Sequence, residues 1–241
     1  LAISYWLSKI VADFIKNIRA NKKNNNIHRN PHSKQGDNVL DICPECGKLK
    51  TKKRVALKNL PILFTDLDQT LIYSHRQATK TRSALTGTVC VEEYENRPLS
   101  YLSLQAWQMM VKHHTEMFNI IPVTTRTLRQ YRRVQFPNLR FRYAVVLNGA
   151  RILVDGVEDH KWTKKVAAEV KRLDTHPVHL WEQLTHHLAG HPEVTRVTSA
   201  DDFFPYIVSP TQSTPELDEY THEMALKTGY IRSKQGRKTY L

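Results

Sequence analysis

Two aspartates one residue apart, Asp66 and Asp68, close the apolar run Ile62-Leu-Phe-Thr-Asp-Leu-Asp-Gln-Thr-Leu-Ile-Tyr73. Carboxylates that close together repel, and they become useful where a divalent cation and a phosphate share the site. One can then attack phosphorus while the other manages the proton. A continuous apolar run is the pattern of a strand covered on both faces, as in a parallel α/β sheet. Pro61 to Phe64 is such a run, and it delivers both aspartates at its carboxyl end, where open α/β sheets hold their ligands. A strand followed by an Asp-rich turn would give the same letters, because Asp and Thr are ordinary turn formers.

A second short apolar strand, Asn119-Ile-Ile-Pro-Val-Thr-Thr-Arg126, ends in hydroxyl residues. A helix-like segment, Leu99 to Phe118, separates the two, which suits a right-handed βαβ crossover. Thr124 and Thr125 can cap the helix expected over 128–134, and a helix start also favours phosphate. In Phe141 to Ile152, Asn148-Gly149 is a turn signal between two apolar strands, and a plain hairpin accounts for it.

The pattern D-x-D-x-T-L, Asp66 to Leu71, resembles the first signature of the haloacid-dehalogenase (HAD) superfamily of phosphohydrolases and phosphotransferases. Asn119 to Arg126 resembles the second signature. Phe141 to Ile152 is similar to the strand and Asn-Gly-Ala turn that precede the cap in the large-cap, sugar-phosphatase-like branch, which favours a cap hinge there. The resemblance implies a Rossmann-like parallel-sheet core with an inserted α/β cap. It implies Mg²⁺-dependent hydrolysis of a phosphate monoester through an aspartyl-phosphate, with a phosphorylated small molecule as substrate. Asp66 would be the nucleophile and Asp68 the general acid, then base, and both would hold Mg²⁺. Thr124 would bind a phosphoryl oxygen, with Thr125 as second choice, and Thr70 would orient the loop. Arg126 and Asn148 are further candidates for substrate contact. The family often reads Thr-Gly-Arg where this chain has Thr124-Thr125-Arg126, which leaves the register of the hydroxyl open.

The family's site also needs a lysine and an acidic motif, which in the large-cap branch follow the cap. No Gly-Asp-x-x-x-Asp segment occurs from residue 155 to Leu241, where the cap would hand back to the core. The expectation is a core lacking its last strands, with weak or no activity. Asp201-Asp202 is a rival acidic motif, with Lys164, Lys165 or Lys171 as the cation; a solvated turn within the cap is the preferred reading.

The formal net charge of +13 is unevenly placed: residues 1–58 hold 13 Lys/Arg against 4 Asp/Glu. Such a basic extension can attract nucleic acid, although a solvated tail is the commoner outcome. Residues 3–18 carry Ile3, Trp6, Leu7, Ile10, Val11, Phe14 and Ile18 on one helical face, and residues 20–39 read as a polar linker. Cys43-Pro-Glu-Cys46 resembles one knuckle of a zinc ribbon. Structural Zn²⁺ takes four ligands, so His28 and His32 would have to complete the set, with Cys90 and His75 as less convenient donors. Cys90 otherwise reads as a small buried apolar residue, and the histidines at 113–114, 186–187 and 191 as surface residues.

These features divide the chain into a basic extension (1–58), a core (59–154) and an α/β cap (155–241). No apolar run approaches the roughly 18 residues that span a bilayer, and three cysteines point to a reducing cytoplasm rather than a disulfide framework. Two rival functions stand beside hydrolysis. One is a non-catalytic HAD-like scaffold; the other is a zinc-bearing nucleic-acid-binding module fused to a degenerate phosphatase.

Overall fold

The computed structural model describes residues 38–42, 49–53, 60–81, 85–114, 117–211 and 214–241. The helix expected over 3–18, most of the linker, and His28, His32, Cys43 and Cys46 lie outside the described residues, so the zinc knuckle stays an expectation. In chain order the strands are β1 (Asn38–Ile42), β2 (Leu49–Lys53), β3 (Ile62–Asp66), β4 (Tyr73–Ser74), β5 (Thr88–Tyr94), β6 (Arg97–Ser103) and β7 (Asn119–Val123). They continue as β8 (Tyr143–Val146), β9 (Arg151–Val154), β10 (Val157–Glu158), β11 (Arg196–Ala200), β12 (Phe204–Val208), β13 (Ser233–Gln235) and β14 (Lys238–Tyr240). The helices are α1 (His75–Thr81), α2 (Leu104–His113), α3 (Leu128–Arg132), α4 (His160–Val170), α5 (Pro177–His187) and α6 (Pro215–Thr228).

The chain is mixed α/β, with three parallel strands at one end of its core sheet. That sheet runs β10-β9-β8-β7-β3, with β3, β7 and β8 parallel and the β8–β9–β10 end antiparallel. Register pairs Asp66 with Val123, so β3 and β7 finish level and the residues after them share one end of the sheet. β3 is the edge strand, and Leu63 is 47% exposed. The expected cover on both faces of this strand therefore fails at the face carrying Leu63.

Between β3 and β7 the chain forms a three-stranded flap, β4-β6-β5, before entering α2. The helix expected from Leu99 starts only at Leu104, because Ser103 caps it by accepting the Ala106 N–H at 3.2 Å. Leu67, Ile72, Val91, Leu102 and Met110 pack together here, fixing the loop after β3 against the flap and α2. Cys90, expected to be buried, is exposed on β5.

Asn148-Gly149 forms a 3₁₀ turn that closes the antiparallel β8–β9 hairpin, with Asn148 in the left-handed region (φ 53, ψ 31). Trp162 of α4 is buried and donates its indole N–H to the Gly149 carbonyl at 3.0 Å, bracing that turn. Beyond α4, β11-β12-β14-β13 make a second sheet, one face of which packs on α5 and α6 through Ile207, Leu180, Leu184 and Leu217. The opposite face contributes Ala200, Tyr206 and Tyr240 to the cluster shared with β8 and β9. The chain ends in two short strands, because Gly236 (φ 57) turns it between β13 and β14.

His114 corrects the surface assignment: it is buried at the end of α2, with Nε2 2.9 Å from the Arg140 carbonyl and Nδ1 without a partner among the described residues. Burial lowers its pKa below the usual 6.5, opposed by the Arg140 carbonyl. A depressed folded pKa means that the unfolded chain takes up the proton first. Stability is expected to fall as pH drops from about 6.5 toward that lower value. Denaturant midpoints at pH 7.5 and 5.5 measure this, and His114→Gln should flatten the difference.

Candidate active site

The carboxyl ends of β3 and β7 open into a cleft of about 1140 Å³. Asp66, Asp68, Thr124, Thr125, Arg126 and Asn148 all line it, so the structure brings these candidates from three segments of sequence to one place. Thr70 stands beside them. After Asp66 the chain makes a tight turn in which Leu71 and Ile72 donate their N–H groups to the Leu67 carbonyl at 3.0 and 2.9 Å. Buried Leu67 and Ile72 anchor that turn, and Gln69 takes a positive φ of 64 to complete it.

Asp66 is exposed at the cleft floor, and the Thr70 hydroxyl donates to its Oδ2 at 3.3 Å. Desolvation is the largest influence on its pKa, which is raised. The Leu67 N–H and Thr70 hydroxyl oppose that rise, and the charge of Asp68 adds to it. Among the described residues Asp66 has no cationic partner within salt-bridge reach.

Asp68 is held differently. Arg126 grips it with two hydrogen bonds, Nε to Oδ2 at 2.9 Å and a terminal nitrogen to Oδ1 at 2.8 Å. The other guanidinium nitrogen lies 2.9 Å from Glu92, which is 2% exposed on β5 and also receives Ser100 Oγ at 2.6 Å and Arg133 Nε at 3.1 Å. Burial works against the Arg126 charge, and Asp68 and Glu92 overcome it, raising its pKa. Glu92 and Arg133 were absent from the sequence reading. Glu92 and Glu93 adjoin in a strand of mixed polarity and give no sign of which is buried; the β5–β6 register is broken by bulges on either side of Glu92.

The two threonines divide their tasks. Thr124 is 3% exposed, and its hydroxyl oxygen accepts the Arg126 N–H at 3.2 Å, which leaves its O–H free to donate into the cleft. Burial raises the pKa of Tyr240 on the opposite sheet, and the Thr125 side chain stands near enough to its hydroxyl to favour the ionised form against that rise. Asn148 is placed by its own backbone, whose N–H donates to the Thr124 carbonyl at 3.1 Å.

Mg²⁺ takes oxygen ligands, commonly one or two carboxylates together with water and substrate phosphate. The donor set here fits it in part: Asp66 offers a carboxylate, and Asp68, each of whose side-chain oxygens already receives one Arg126 N–H, offers its backbone carbonyl most readily. Among the described residues no three His, Cys, Asp or Glu side chains gather around a common point. Asp201 and Asp202 are exposed at the tip of the β11–β12 hairpin, both with positive φ, and do not line the cleft. Lys164, Lys165 and Lys171 are exposed on or just after α4 and do not line it either. The cations that do face the cleft from the second sheet are Lys238 and Arg237, which strand alternation alone did not single out. Of the less convenient zinc donors, His75 has its Nδ1 3.2 Å from the Tyr101 hydroxyl.

Comparison with known proteins finds no matching family model and no matching curated protein. One similar solved structure is the sucrose-phosphatase from Synechocystis sp. PCC6803 in complex with sucrose and phosphate, a HAD superfamily member. Its TM-score is 0.42 at 16% identity, over 57% of this chain and 55% of that one. The alignment thus spans about half of that protein, and a likeness of this degree carries no argument about activity. No helix among the described residues is long and apolar enough to cross a membrane.

Proposed function

We propose that this chain is a HAD-type phosphatase: a Mg²⁺-dependent phosphate-monoester hydrolase that works through an aspartyl-phosphate on Asp66. One observation carries the reading. Asp66 and Asp68 end a parallel strand beside Thr124 at the end of its parallel neighbour, and all three line one cleft. The donor chemistry and the D-x-D-x-T-L resemblance agree with it.

Thr70 holds one oxygen of Asp66, leaving the other to attack phosphorus in line. Asp68 protonates the departing ester oxygen and later takes a proton from water. Both its oxygens receive Arg126 N–H groups and each keeps a further lone pair for a proton, so Arg126 positions this residue through each transfer. The Thr124 O–H donates to a phosphoryl oxygen. The Asp66 carboxylate and the Asp68 backbone carbonyl would hold Mg²⁺, which when bound supplies charge neutralisation for the phosphoryl group. Positioning and charge supply most of the rate in such chemistry.

Release of phosphate from a generic aryl phosphate, with and without Mg²⁺, tests the class. Turnover that needs Mg²⁺ is expected, and its absence at every Mg²⁺ concentration would count against a hydrolase. The second reading, a non-catalytic scaffold of the same fold, draws on one observation: no third acid reaches the cleft among the described residues. The same assay separates the two.

A further inference from the structure

The cleft has a second wall, and its charge is set by strand register. Arg196 pairs with Val208, Val208 with Lys238, and Lys238 with Gln235, so these four residues form one row across β11, β12, β14 and β13. Directly opposed residues on antiparallel strands share a face. Val208, Lys238 and Gln235 line the cleft, which places Arg196 on the same side. Two rows on, Tyr206 and Tyr240 pair with each other and line it too. Lys238 thus stands on the wall opposite Asp66 and Asp68, and Arg196 shares its sheet face on the edge strand β11, two strands or about 10 Å away and just outside the cleft lining.

Neither cation has a carboxylate partner among the described residues. Lys238 lies over the Tyr206 ring at 5.5 Å, and the neighbouring Arg237 donates only to the Pro210 carbonyl, at 3.3 Å. Partial desolvation lowers the Lys238 pKa; the charge of Asp68 across the cleft opposes this, and Arg196 and Arg126 add to it. Exposed cations gathered along one side of a cleft without carboxylates between them make a positive patch that attracts an anion. The phosphoryl site is already furnished on the other wall, and a cleft of about 1140 Å³ leaves room for more than one phosphate.

We propose that Arg196 and Lys238, with Arg237 beside them, form an anion subsite, and that the substrate is a phosphate ester bearing a second anionic group, a carboxylate or another phosphate. The proposal rests on the reading of Asp66 and Asp68 as the phosphoryl site. Calorimetric titration of the full chain with Mg²⁺ compares butylphosphonate with a butane carrying a phosphonate at each end. The diphosphonate is expected to bind at least about tenfold tighter, the scale of one charge-assisted contact. The Arg196→Met/Lys238→Met variant should bring the ratio of the two affinities toward one. Both side chains are exposed, which favours folding of the variant, and the single Lys238→Gln change gives a second reading. Equal affinities in the parent, failure of the diphosphonate to bind, or a preference that survives the double variant would overturn the subsite. Failure of the hydrolase reading looks different: no aryl phosphate turnover, with the diphosphonate preference intact.

Discussion

Asp66→Asn is expected to lower Mg²⁺-dependent phosphate release by at least about 10³-fold, the scale of losing a nucleophile. The amide preserves shape and cannot form the acyl phosphate. Its effect on folding should be small, within about 0.5 kcal/mol, because Asp66 is exposed and the Thr70 hydroxyl is its single side-chain partner among the described residues. The direction of that small effect follows from the pKa. Desolvation and Asp68 raise it above 3.8, so the ionised carboxylate disfavours the folded state once pH exceeds the folded value. Removing the charge should therefore leave stability at neutral pH equal or slightly higher. Steady-state kinetics and a denaturant curve on the same preparation separate loss of chemistry from loss of fold.

Glu92→Gln should have the largest effect on stability. Glu92 is 2% exposed and faces Arg126 and Arg133, whose side chains are 14% and 27% exposed. Breaking a buried ion pair from one side leaves uncompensated charge, and the cost is about 3 kcal/mol at the lower end of what such changes produce. The flap strand β5 would lose its tie to the loop that carries Arg126. Activity should fall as well, since Arg126 would hold Asp68 without its own anchor. Removing Arg133 charge in the same chain (Glu92→Gln/Arg133→Gln) should recover part of the loss, because the two residues share one network. A change below about 1 kcal/mol in the single variant would mean that solvent already screens the cluster.

The parts of the site that could be read from residues alone were those whose chemistry and strand ends coincide. Asp66, Asp68 and Thr124 each follow a short apolar run, and parallel pairing of β3 with β7 brings them together. Pairing order was not legible: an apolar run such as Ile62 to Phe64 looks the same in a central strand and in the edge strand that β3 is. Local capping overrode periodicity at Ser103, where apolar spacing through Leu99 and Leu102 suits a helix but the Ser103 hydroxyl starts it five residues later. Glu92, Arg133 and Lys238 escaped because their roles come from register and burial, which depend on partners far away in sequence. His114 escaped for a related reason. A polar residue at a helix end reads as exposed until the carbonyl of Arg140, 26 residues on, is seen to meet it.

The central claim is covalent, and trapping tests it most directly. Acid quench of the chain during turnover of an aryl phosphate, followed by borohydride reduction, converts an aspartyl-phosphate to homoserine. Peptide mass analysis is expected to find homoserine at position 66, and none in the Asp66→Asn variant. Turnover without homoserine at position 66, or with it at Asp68, would contradict the assignment of Asp66 as the nucleophile.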